Sequence, residues 1–214
     1  MLTQHGELTA HEIAPDFLAR MLRPYQPTGT VYLRSATVRD TCLSNPAPPT
    51  RALFSTSGVF SIGSSCYIQA TGHFNAVEFL ICYNQLAYST FGYLIQSGVF
   101  RNGTPTRLPQ ECREMVSKIS MERFLDHQLS SMLILKCTTR FREPINARSF
   151  TGHLSVNRLT YHKGAFLADT RCVFTGSAGG SAEGDVLLAY VANIAREQRP
   201  SISDDANDHA RAFA

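Results

Sequence analysis

Four residues close together in this chain have types that carbonyl and proton chemistry use: Tyr67, His73, Asn75 and Glu78. Histidine can carry protons near neutral pH. Asn75-Ala-Val-Glu78 reads as a helix start, a capping side chain followed three residues later by an acid. The N-terminus of a helix offers unpaired N–H groups and a partial positive charge to an oxygen that gains negative charge. Wound at about 100° per residue, Glu78, Cys82, Gln85 and Ser89 fall in one stripe about 60° wide on an otherwise apolar helix. One reading is a lined site, with Glu78 one turn in to orient water or take a proton. The alternatives are as physical: Glu78 reaches back to the Asn75 backbone as half of a capping box, and the stripe faces a subunit partner. His73 is then a loop histidine bonded to backbone. Tyr67 either donates a hydrogen bond to a substrate carbonyl or packs at an interface.

A second group is Lys136-Cys-Thr-Thr-Arg140-Phe-Arg142. In a strand, Lys136, Arg140 and Arg142 share one face, which suits a carboxylate or a phosphate. The alternative is a solvated outer face. No Ser-His-Asp set and no reactive Cys-His pair is evident, so direct attack by water is expected, with no covalent acyl-enzyme. No cofactor or metal is called for: the closest cysteines, Cys66 and Cys82, lack zinc-type spacing.

The elements that must position these groups follow from the pattern. The chain has 214 residues, 43% of them hydrophobic and 17% charged, with 13 Phe, 8 Tyr and no Trp. This composition excludes a disordered chain. Lys plus Arg is 20 against 17 Asp plus Glu, without a basic run, so neither a nucleic-acid groove nor a polybasic membrane anchor is expected. The six cysteines read as reduced, mostly buried thiols. The first twenty residues lack an apolar signal core, which makes a cytoplasmic address the expectation. Phe79 to Phe100 is free of charge, yet Asn84, Gln85, Ser89, Thr90, Gln96 and Ser97 argue for a helix buried in a soluble protein, not a membrane span.

Ile13, Phe17, Leu18, Met21 and Leu22 predict a short amphipathic helix. Extended chain follows from Thr30, then a loop at Asn45-Pro-Ala-Pro-Pro49. Residues 51–62 and 64–70 read as a hairpin turning near Gly63. The central helix runs from Asn75 to about Gln96, with Gly98 as its stop. Residues 99–118 read as a polar loop, and Ser120 caps a helix to about Gln128. Strands are expected at 131–143, 149–160, 165–175 and 185–194, the last two joined by a glycine-rich turn over 176–184. The expected fold is α+β, an antiparallel sheet wrapped round one long helix. It forms a single domain over residues 1–198, with 199–214 as a loose tail.

The motif Tyr67-Ile-x-x-Thr-Gly-His-Phe-Asn-Ala-Val-Glu78, continuing Asn84-Gln-Leu-Ala-Tyr-Ser89, resembles the FcoT-like thioesterase family. So does His127-Gln-Leu-Ser-Ser-Met-Leu-Ile134, followed by Arg140-Phe-Arg142 and Pro144. The resemblance runs from about Ile13 to Ile194 and implies the hotdog fold. It also implies an oligomer of hotdog dimers, a dimer or a trimer of dimers, with acyl tunnels near subunit contacts. The family's site residues map onto Tyr67, Asn75 and Tyr25; Gly72, Gln85 and Ser89 join Lys136, Arg140 and Arg142 as substrate-binding candidates. The implied activity is addition of glycine to a (2E)-enoyl thioester on an acyl carrier protein or coenzyme A. Hydrolytic release then gives a 3-[(carboxymethyl)amino] fatty acid for isonitrile lipopeptide biosynthesis. A long-chain acyl-CoA or acyl-carrier thioesterase and a non-catalytic acyl-binding protein are the alternatives.

Overall fold

The computed structural model describes residues 10–40, 52–68, 72–98 and 108–191. Strand β1 (Ala10–Glu12) leads into helix α1 (Pro15–Met21), a 3-10 turn (Arg23–Tyr25) and strands β2 (Leu33–Asp40) and β3 (Phe54–Phe60). The long helix α2 (Ala76–Ser97) follows, then α3 (Gln110–Ser117) and α4 (Met121–Ser131). Four long strands complete the order: β4 (Met132–Glu143), β5 (Phe150–His162), β6 (Ala165–Gly176) and β7 (Ser181–Val191). All pairings are antiparallel, in the order β1-β2-β3-β5-β6-β7-β4. The sheet wraps round α2, most of whose residues are buried. This is the α+β hotdog arrangement. No helix among the described residues is long and apolar enough to cross a membrane.

A helix enclosed by a sheet must settle every polar group it carries without water. Gln85 does so with backbone at the entrance to β2. Its Oε1 accepts from Tyr32 N at 3.0 Å and Leu33 N at 2.8 Å, and its Nε2 donates to Thr30 O at 2.6 Å. Tyr83 Oη meets Thr170 Oγ1 at 2.9 Å, and Thr90 Oγ1 meets Thr56 Oγ1 at 2.7 Å. Near its N-terminal end, α2 rests on aromatic rings: Phe79 packs edge-on against Phe174 and Phe141, while Phe74 contacts Phe150 and Phe174. β7 approaches so closely that a Cβ on Gly184 would lie 2.7 Å from the Phe79 ring. Gly184 is therefore a packing position inside β7, and the connecting turn covers only residues 177–180.

Two other expectations are corrected. The hairpin over 51–62 and 64–70 does not form among the described residues: β3 pairs with β2 and β5, and residues 61–68 hold no strand. Gly63 lacks the positive φ that a tight hairpin turn needs, and Ser61 N and Ile62 N bond instead to Tyr32 O and Ala147 O. The supposed polar loop contains α3. Its spacing signal was present in Leu108, Cys112, Val116 and Ile119, all buried on one face. The Pro-rich loop, residues 99–107, the end of the last strand and the tail lie outside the described residues.

Replacing Gln85 by Leu leaves two backbone N–H groups and one carbonyl unpartnered in the interior. At about 1–3 kcal/mol for each orphan, less what the added apolar contact returns, Gln85→Leu lowers stability by about 3 kcal/mol. Urea titration checks this as a lower midpoint at unchanged slope.

Candidate functional site

The tip of α2 carries both halves of a capping box. Asn75 Oδ1 accepts from Val77 N at 3.0 Å and Glu78 N at 3.2 Å, and Asn75 N donates to Glu78 Oε2 at 3.2 Å. Phe79 N donates to Asn75 O at 2.8 Å. The first N–H groups of a helix lack intrahelical acceptors, so their partners must be counted one by one. Here the cap takes Val77 and Glu78. The Ala76 N–H and the Asn75 Nδ2 group remain, with no hydrogen-bond partner among the described residues. Both residues line a cleft of about 350 Å³ that opens at the tip.

The other wall of that cleft comes from the end of β4. The segment that leads into α2 is laid against the chain leaving β4: Phe74 N donates to Ile145 O at 3.0 Å, and His73 forms a bridge with Asn146. Phe141, Arg142 and Glu143 thereby face His73, Asn75 and Ala76 across the cleft. Arg142 sits in a register irregularity between Phe141 and Glu143, and its guanidinium bonds Glu183 Oε1 at 2.8 Å. Glu183 also pairs with Arg171. The Arg142 hydrogen bond, with the Arg171 charge beside it, holds the Glu183 carboxyl below the usual range.

The cleft thus gathers three of the sequence candidates: His73, Asn75 and Arg142. Lys136 and Arg140 lie opposite Leu187 and Glu183 on the exposed edge strand and do not line it. Gly72, at φ +82°, supplies the turn into the helix and is not part of the lining. Tyr67 stands half exposed in the bends before the helix, also outside the lining.

Glu78 is only 3% exposed, behind its own cap. The polar stripe meets protein instead of an open cavity: Gln85 holds backbone, and Ser89 is buried with its Oγ unpartnered. Tyr25 packs against Tyr88, with ring centroids 6.3 Å apart. Burial raises Tyr25 well above an ordinary phenol and raises Cys82 and Cys172 above ordinary thiols. Neither Cys82 nor Cys172 is poised as a thiolate nucleophile by these surroundings.

Two contributors escaped the sequence reading. Glu143 lines the cleft beside Arg142, and its only sequence signal was that adjacency. Tyr32 is buried with its Oη donating to Ser64 O at 3.2 Å, near Glu78 and Cys66. Together with its backbone bond to Gln85, this ties the middle of α2 to the segment that carries Tyr67. Nothing in Val31-Tyr32-Leu33 distinguishes it from a plain strand residue.

Comparison with known proteins adds three findings. The FcoT-like thioesterase domain matches residues 20–190. A protein of Mycobacterium tuberculosis (strain ATCC 25618 / H37Rv) named (2E)-enoyl-[ACP] glycyltransferase is 37% identical over 183 residues, covering 83% of this chain and 86% of its own length. One of the same name from Streptomyces coeruleorubidus is 35% identical over 179 residues, covering 81% and 94%. Among solved structures, a thioesterase variant from Pseudomonas aeruginosa is 11% identical with a TM-score of 0.40, covering 84% of this chain and 94% of that one.

The cap and the exposed amide are separable by substitution. Asn75→Ala removes the acceptor and costs about 1 kcal/mol, whereas Asn75→Asp keeps it and stays within about 0.5 kcal/mol of the parent. Chemical denaturation of the two variants reads the difference.

Proposed function

The chain belongs to the FcoT-like thioesterase family, and from that premise we propose that it adds glycine to a (2E)-enoyl thioester and then releases the product by hydrolysis. The observation that carries this reading is the cleft at the tip of α2. It sets a helix N-terminus, a histidine and an Arg-Glu pair around one space. The relatives named (2E)-enoyl-[ACP] glycyltransferase support the substrate class.

Glycine is a zwitterion near pH 7, with a carboxylate and an ammonium close together. Arg142 receives the carboxylate and Glu143 the ammonium. Glu183 leaves Arg142 nitrogens available, since it engages one of them. His73 takes the proton that must leave the ammonium before the nitrogen has a lone pair. That nitrogen bonds to C3 of the enoyl chain, and the C2–C3 π electrons move to make the thioester oxygen an enolate oxyanion. Asn75 Nδ2 and Ala76 N–H bind that oxygen, aided by the positive end of α2. The proton returns to C2. Water then attacks the same carbonyl carbon, the oxyanion forms again on the same donors, and the carrier thiol leaves. Both steps therefore use one electrostatic device. Tyr67 lies on the approach to the helix, where it bounds the acyl or carrier side. Glu78 supports the tip from behind and does not touch substrate.

β4 bears on assembly. It is twelve residues long, forms the edge of the sheet and is exposed along most of its length, with Leu133, Leu135 and Phe141 on its surface. A long unpaired edge with apolar side chains is a template for another strand. A second copy pairing along β4 supplies it and brings a neighbouring subunit to the cleft.

Incubation with an enoyl-carrier thioester, with and without isotopically labelled glycine, followed by mass analysis, decides among the readings. The expected product carries the glycine label as a free acid. Free enoic acid formed regardless of glycine would select a simple thioesterase, and an intact thioester in both samples would select a binding protein. Asn75→Asp, stable as above, lowers turnover roughly 100- to 1,000-fold through loss of one oxyanion donor. Arg142→Gln raises the KM for glycine and spares hydrolysis of a saturated thioester.

A further inference from the structure

Arg142 and Glu143 are neighbours in the chain, carry opposite charges and both line the cleft at the tip of α2. Unlike charges this close attract, and a pair that closes on itself has little left for a ligand. They do not pair: Glu143 is exposed and makes no ion pair among the described residues. Arg142 Nη2 donates instead to Glu183 Oε1 on β7, at 2.8 Å. Glu183 Oε2 accepts from Arg171 Nη2 on β6. Arg171 Nη1 in turn donates to Asp185 Oδ1 at 3.1 Å and to Oδ2 at 3.3 Å. Charges therefore alternate along one line of contacts, from Asp185 through Arg171 and Glu183 to Arg142.

The strand register makes this choice of partner specific. Glu183 lies opposite Arg140, yet its carboxylate bonds Arg142, the residue in the irregularity between Phe141 and Glu143. An irregularity in an edge strand re-aims a side chain. Arg171 lies opposite Asp185 and a diagonal step from Glu183, so it reaches both. We propose that Glu183, itself held by Arg171, is a positioning residue that keeps the Arg142 guanidinium off Glu143, leaving the two as separate receptors for the two charges of glycine. The inference rests on the reading of the site given above and adds how its opposite charges are kept apart.

Exposure separates geometry from stability here. The Arg142 side chain is 53% exposed and that of Glu183 25%. An ion pair this open contributes little to folding. Its effect on a ligand is larger, because a zwitterion gains from unlike charges only where these have not already met. Glu183 takes one guanidinium nitrogen, and an arginine has further N–H groups in the same plane for a second carboxylate. The Arg142 hydrogen bond, with the Arg171 charge beside it, holds Glu183 below the usual carboxylate range, so the contact is intact at neutral pH. Arg140 supplies a control. It lies directly opposite Glu183, makes no ion pair among the described residues and does not line the cleft.

Turnover of an enoyl-carrier thioester is followed against glycine concentration for the parent chain, Glu183→Ala, Arg142→Gln, Glu183→Ala/Arg142→Gln, Arg171→Gln and Arg140→Gln. The expected result for Glu183→Ala is a glycine KM raised roughly ten-fold at unchanged kcat. Arg171→Gln, which leaves Glu183 in place, raises KM in the same direction by less. The double variant has the KM of Arg142→Gln alone, because Glu183 acts only through Arg142. Arg140→Gln keeps the parental KM. An unchanged KM in Glu183→Ala overturns the proposal, as do losses that multiply in the double variant or an equal rise in Arg140→Gln. Crystal structures of the glycine-free parent and of Glu183→Ala test the positioning without turnover. Arg142 on Glu183 in the parent and on Glu143 in the variant supports it even where no glycine is incorporated, an outcome that defeats only the reading of the site. Arg142 away from Glu143 in the variant, or already paired with it in the parent, overturns it even where turnover is normal.

Discussion

The structure depends on how the first turn of α2 disposes of its backbone N–H groups. A helix end laid against a sheet cannot leave them all to water, and it cannot leave them unpaired. Asn75 and Glu78 settle this reciprocally through three hydrogen bonds. The settlement is incomplete in an informative way. Because Asn75 uses Oδ1 as acceptor, its nitrogen is turned outward beside the N–H of Ala76, and both residues line the cleft. The residue that stabilises the helix start is thereby also one that lines the cleft with an amide donor.

The rest of the molecule holds that tip still. Phe79 cannot shift toward β7, where Gly184 already brings the strand against its ring. Phe74 is fixed by the backbone bond to Ile145 and by the rings of Phe150 and Phe174. Two turns further along, Gln85 locks the helix to Thr30, Tyr32 and Leu33. Preorganised donors contribute to catalysis because they need not reorient when charge appears. The tight aromatic packing and the buried amide are the physical means of that rigidity.

Local grammar was legible in the sequence; long-range juxtaposition was not. The Asn75–Glu78 cap, the extent of α2 and its polar stripe all follow from neighbours a turn apart. The stripe's partner did not: its angular position says that Gln85 faces something polar, and only the chain path shows this to be the backbone of residues 30–33. Helix α3 was written in the spacing of Leu108, Cys112, Val116 and Ile119 but masked by prolines and glycine nearby. Arg142 could be placed on a strand with Lys136 and Arg140. That it alone of the three reaches the tip of α2 depends on the irregularity at Phe141/Glu143 and on the bridge from His73 to Asn146, which pattern does not encode.

Burial also sorts the proton carriers. Glu78 has the chemistry of a base, yet it is 3% exposed and accepts from the backbone of its own cap. Its neighbours Cys82 and Tyr32 are held protonated, chiefly because their charged forms would be desolvated. The interior side of the tip therefore offers no mobile proton at neutral pH through these two groups. The solvent side carries His73, which is exposed and lines the cleft. The proposed proton carrier and the proposed oxyanion donors thus share the open face of one helix end. The buried face fixes the donors, and the open face presents them beside His73.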